Sequence, residues 1–88
     1  MKVTLDFSEV TSRGELHDLL MEAFSLPEYY GRNLDALYDC LSEPGEDIEV
    51  NIISFDVLEE RLGRYARRLR SLLRRVSSER PGFMISID

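Results

Sequence analysis

Residues 2–7, KVTLDF, set Val3, Leu5 and Phe7 against Lys2, Thr4 and Asp6, the two-residue period of a strand with one buried face. Leu16, Leu19, Leu20 and Phe24 then recur at helical spacing behind TSRGE, where Ser12 as N-cap and Glu15 three residues on form a capping box. Pro27 is expected to end that helix, because the residue before a proline avoids the helical region. A second helix is predicted from Asn33, a good N-cap, to about Leu41 or Ser42, with Pro44 and Gly45 closing it. Residues 47–54, DIEVNIIS, read as strand two, with Ile48, Val50 and Ile52 on one face and Ile53 on the other. Ser54 is placed to cap a short third helix, FDVLEERLG. The fourth helix runs from about Arg64 to Ser78 on a core stripe of Tyr65, Leu69, Leu72, Leu73 and Val76. RPG at 80–82 stops it, and FMISI at 83–87 is the third strand.

The order strand, helix, helix, strand, helix, helix, strand calls for crossover connections. It therefore predicts an α/β fold: a small two-layer domain with a three-stranded parallel sheet, right-handed crossovers and about four helices. Three strands leave the helices enough surface for one sheet face.

Length and composition narrow the picture. With 88 residues, the chain is expected to close one core, a single domain over 1–88. A hydrophobic fraction of 43% with 32% charged residues is that of an ordinary soluble globular protein. The start, MKVTLDFSEV, has no apolar run of the secretory kind, no membrane-spanning stretch follows, and the single cysteine cannot form an internal disulfide. A cytoplasmic chain, monomeric when free and without membrane contact, is the expectation.

Charge is unevenly distributed. Residues 1–60 carry 15 acids and three bases (Lys2, Arg13, Arg32), whereas residues 61–88 carry two acids and eight arginines. The acidic part argues against nucleic acid as its partner and favours a cationic one.

Catalytic chemistry is thin. His17 is the only histidine, beside Leu16 in the first helix, and reads as a helix-surface or partly buried residue with no nucleophile set around it. Glycine-rich phosphate loops and Cys/His metal patterns are missing from the sequence, so neither cofactor nor metal is expected. Cys40, four residues after Ala36, reads as a buried inert thiol.

On a helical wheel at roughly 100° per residue with Asp35 at zero, Asp39 falls near 40°, Ser42 near 340° and Tyr38 near 300°, while Leu34, Leu37 and Leu41 cluster at about 200–260°. The two acids and Tyr38 are expected to share the exposed face. Asp35 has an ordinary explanation, since a first-turn carboxylate gains roughly 0.3–1 kcal/mol from the macrodipole. Asp39 does not. Asp is a poor interior helix former, negative charge is disfavoured near a helix C-terminus, and Asp35 lies at i,i−4. A residue set against its local rules either serves a partner or is a tolerated acid on a solvated face. Tyr29, Tyr30 and Tyr38 nearby match the aromatic make-up of interface hot spots. Both carboxylates stand on one wall, which does not suit a glycosidase pair, and two ligands make a weak cation site.

The stretch LPEYYGRNLDALYDCL, 16 residues without a gap, resembles the signature of the barstar family of ribonuclease inhibitors, and the flanking elements fit that family's order. The resemblance implies a three-stranded parallel sheet packed by helices. It implies no enzyme activity but an inhibitory surface that plugs the basic RNA-binding cleft of a secreted, barnase-like ribonuclease. Tyr29, Tyr30, Gly31 and Asn33 in the loop, and Leu34, Asp35, Tyr38 and Asp39 on the helix, match that surface. Gly31 would take a positive φ or approach the partner closely. In the fourth helix, Arg75 stands where the best-known member carries an acid, and Glu79 lies near enough to take that acid's place.

The downstream arginines read either as a solvated helix face or as a basic surface for another acidic partner. They also separate two functions. Arginines facing away from Asp35 and Asp39 suit an inhibitor of a basic cleft. Arginines sharing that surface mean that the target is not strongly basic, as for an interaction or regulatory module with a non-ribonuclease partner.

Overall fold

The computed structural model describes residues 1–87. Its order is β1 (Lys2–Asp6), α1 (Arg13–Ala23), α2 (Leu34–Ser42), β2 (Ile48–Ile53), α3 (Phe55–Leu62), α4 (Arg64–Glu79) and β3 (Phe83–Ile87). The three strands form one parallel sheet in the order β1-β2-β3, with β2 central. Both crossovers step the same way across the sheet, so a common hand puts both helix pairs on one face. Register carries this through the side chains. Val3, Val50 and Ile85 form one inward row and Leu5, Ile52 and Ile87 the next, while Thr4, Asn51 and Ser86 form an exposed row on the open face. Leu16, Leu20, Leu37, Leu58, Leu69 and Leu73 close over the inward rows and are fully buried.

Several element ends have causes that differ from the expected ones. α1 stops before Pro27. Ser25 takes a left-handed φ of 52°, and Leu26 N–H bonds Met21 O at 2.9 Å, the long bond of a Schellman stop built without glycine. At its start Ser12 Oγ accepts from Glu15 N–H at 3.1 Å, but the Glu15 carboxylate reaches past Ser12 to Thr11 N–H at 2.7 Å. Ser54 occupies the N-cap position of α3 in the left-handed region (φ 61°) and makes no side-chain cap. Gly63, also at positive φ, separates α3 from α4.

His17 is neither a surface nor a partly buried residue: it is 2% exposed and sits inside the core. Its Nδ1 lies 2.6 Å from Tyr30 Oη and its Nε2 2.7 Å from Tyr65 Oη. One ring therefore ties α1 to the loop before α2 and to α4. Its wheel position, about 60° from Leu20 and 20° from Phe24 at 100° per residue, already lies in the apolar arc. Burial, with Arg32 nearby, holds the His17 pKa below its usual 6.5. Neutral His17 is thus favoured by folding, and its contribution is complete above about pH 6.5 and is lost as pH falls below that value. Thermal midpoints measured against pH are expected to fall across that window in the native chain, and this step is expected to vanish in His17→Gln.

Candidate functional site

Asn33 starts α2 as expected: its Oδ1 accepts from Ala36 N–H at 2.8 Å. Leu34, Leu37 and Leu41 are buried, so α2 has one seated side, and Asp35, Asp39 and Ser42 are left exposed. The helix packs against α4. Its far end carries no basic residue in the last turn. Arg80 supplies the missing positive charge from the end of α4, donating to Leu41 O at 2.9 Å and Glu46 O at 2.7 Å. Two grooves flank α2. One, about 560 Å³, runs between α2 and α4 over Leu34, Tyr38 and Leu72. The other, about 550 Å³, runs between α2 and the preceding loop, with Tyr29, Gly31 and Cys40 on its walls. Asp39 borders both and stands on the ridge between them. Neither Asp35 nor Asp39 has an ion-pair partner among the described residues.

The residues expected at the site divide by burial. Tyr29 is 88% exposed and free to meet a partner. Tyr30 is buried instead, its hydroxyl on His17 and its pKa raised by that burial, so it braces the loop from inside. Leu34 is likewise a core residue that reaches the groove floor. Gly31 does not hold the positive φ; Arg32 does, at 55°. What Gly31 supplies is closeness within the chain, since a Cβ there would meet Ala36 Cβ and Asn33 Nδ2, each at 3.3 Å. Arg32 pairs with Asp18 at 2.7 Å rather than with Asp35, also donating to Gly14 O at 3.0 Å. Those bonds hold its strained backbone and fasten the loop to α1.

Tyr38 is half-buried rather than exposed, because it leans on α4. Its hydroxyl donates to Glu79, and the Arg75 guanidinium lies 4.7 Å from its ring centre. Arg75 Nε in turn meets Glu79 Oε2 at 3.2 Å. Glu79, held below the usual carboxylate range by Tyr38 and Arg75, is engaged in fixing Tyr38 rather than presented alone. Cys40 is half-buried, and desolvation pushes its thiol up, which keeps it unreactive.

The arginines of α4 do not face away. Arg64, Arg67, Arg68 and Arg75 line the same groove as Asp35 and Asp39. They share the acidic surface, the arrangement expected for a target that is not strongly basic. Other arginines have internal tasks: Arg61 donates to Ser8 O at 2.8 Å, and Arg70 lies over the Phe55 ring at 4.9 Å.

No cluster of three metal-ligating side chains occurs among the described residues, and no helix there is long and apolar enough to cross a membrane. Residues 1–87 match the family model described as Barstar (barnase inhibitor). The chain is also similar to a Bacillus subtilis (strain 168) protein named Putative ribonuclease inhibitor YrdF. The two are 32% identical over 80 residues, which cover 89% of this chain and 87% of the other.

Proposed function

This chain belongs to the barstar family, and on that premise we propose that it is a cytoplasmic inhibitor of a secreted, barnase-like ribonuclease. It binds as a monomer, performs no reaction, and lays α2 and the loop before it over the enzyme's RNA-binding cleft. The observation that carries this reading is the position of Asp39: exposed, unpaired among the described residues, on the ridge between two grooves, at the end of a helix whose dipole disfavours it. Asp35 one turn earlier extends the acidic line, and Asn33 fixes where that line starts. Tyr29 offers a large exposed ring beside it, while Tyr38 is locked by Glu79 and Arg75 and needs little ordering on contact. Carboxylates on a rigid helix then stand where the enzyme would hold RNA phosphates.

Titration of the purified chain into such a ribonuclease, followed by RNA cleavage, is expected to give saturable inhibition that weakens as salt rises, because the contact is largely between charges. Undiminished cleavage at every ratio would remove the inhibitor reading. A second reading, an interaction module for a mixed-charge partner that is not a ribonuclease, is favoured by one observation, the arginines on the α2–α4 groove.

A further inference from the structure

Positions 64, 67, 68, 71, 72 and 75 form one stripe of α4, and all six line the groove opposite Asp35 and Asp39. Two of the four arginines in it are occupied. Arg67 pairs with Glu59 at 3.6 Å, and Arg75 is held by Glu79 and the Tyr38 ring. Arg64 and Arg68 have no ion-pair or side-chain hydrogen-bond partner among the described residues. Neither forms an ion pair with Asp35 or Asp39 across the groove, so opposite charges face one space without a direct bridge.

Arg64 contradicts its own helix as Asp39 does. α4 begins on Gly63 with no side-chain cap and no acid in its first turn, and instead places Arg64 at the positive end of the macrodipole, with Arg68 one turn on. Residues on both walls are thus set against local stability, and both border the same groove. Both rows line one groove, so a docked surface meets an acidic and a basic row side by side. A uniformly basic surface would be repelled by the arginine wall and a uniformly acidic one by the aspartate wall. Only a surface carrying both signs in order satisfies both walls, while Leu34 and Leu72 exclude water between them.

We propose that the target ribonuclease carries a carboxylate beside its basic cleft, and that Arg64 and Arg68 receive that carboxylate while Asp35 and Asp39 engage the cleft. The inference rests on the inhibitor reading and sharpens it: the arginine wall sets which ribonuclease fits. A strongly basic enzyme without the acidic rim is discriminated against, which is specificity gained from a repulsive element.

The test is the inhibition constant for the secreted barnase-like ribonuclease of the chain's own organism, measured for the native chain, Arg64→Gln/Arg68→Gln, Arg64→Glu/Arg68→Glu and Asp39→Ala. Charge removal is expected to weaken inhibition about tenfold and charge reversal further. The Glu pair is expected to leave the thermal midpoint unchanged or higher, since an acid suits the start of α4, so the loss cannot be misfolding. Unchanged or tighter inhibition by the Glu pair, with inhibition still weakened in Asp39→Ala, overturns this inference and leaves the inhibitor reading standing. A single-stranded RNA oligonucleotide bound by the native chain and released by the Gln pair, with inhibition unaltered, assigns the arginines to nucleic acid and also overturns it. No inhibition by the native chain overturns both.

Discussion

In Asp39→Ala, inhibition of the target ribonuclease is expected to weaken by at least about 30-fold while the thermal midpoint holds or rises. Removing one member of a buried, hydrogen-bonded charge pair costs roughly 2–5 kcal/mol or more at protein interfaces, because the charge left behind stays desolvated. In the free chain nothing comparable is lost: Asp39 is exposed and forms no ion pair with any described residue. Ala is the better helix former by about 0.5 kcal/mol, and its introduction relieves the i,i+4 repulsion from Asp35 and the clash with the α2 dipole. Asp35→Ala is expected to weaken inhibition less and to gain no stability, since its place in the first turn suits the helix. A large fall in the Asp39→Ala midpoint would make that residue structural and contradict the account.

The largest expected effect on stability is at His17. His17→Leu removes the shared partner of two buried hydroxyls, Tyr30 Oη and Tyr65 Oη. Each orphaned hydroxyl costs about 1–3 kcal/mol, so a loss of roughly 2–6 kcal/mol is expected, a large part of the about 4–13 kcal/mol that a domain of this size holds. The same substitution in a Tyr30→Phe/Tyr65→Phe background leaves no orphans and is expected to cost markedly less. Equal losses in the two backgrounds, measured by urea unfolding, would mean that packing rather than hydrogen bonding sets the cost. Because Tyr30 belongs to the loop before α2, His17→Leu is also expected to loosen the wall of the groove that Tyr29 and Asp39 share.

Much of the framework was legible from local signals. Two-residue alternation in 2–6 and 48–52, and the apolar stripe of α4, place the sheet and the longest helix because burial on one side leaves no other register. Asn33 and the leucines at 34, 37 and 41 orient α2, so the exposure of Asp35 and Asp39 follows from periodicity alone. What stayed hidden depends on contacts distant in sequence. Tyr30 looks like a surface loop residue until His17, 13 positions earlier, and Tyr65 enclose it. Gly31 was expected to take a positive φ or to approach a partner closely; the positive φ falls to Arg32, whose side chain Asp18 and Gly14 O hold. The side of α4 that carries the arginines could not be assigned to the acidic surface without the packing of α2 on α4, since a helix wheel orients residues about one axis and says nothing of the neighbour.

Closure of a ribonuclease's RNA-binding cleft by the acidic α2 surface predicts competition with RNA. RNA cleavage by the target enzyme is measured at a series of RNA concentrations and fixed amounts of the chain. If the chain occupies the cleft, the apparent inhibition constant rises in proportion to RNA and the maximal rate is restored at saturating substrate. An inhibition constant that does not change with RNA, or a maximal rate that stays depressed, would place the contact elsewhere on the enzyme and contradict the account.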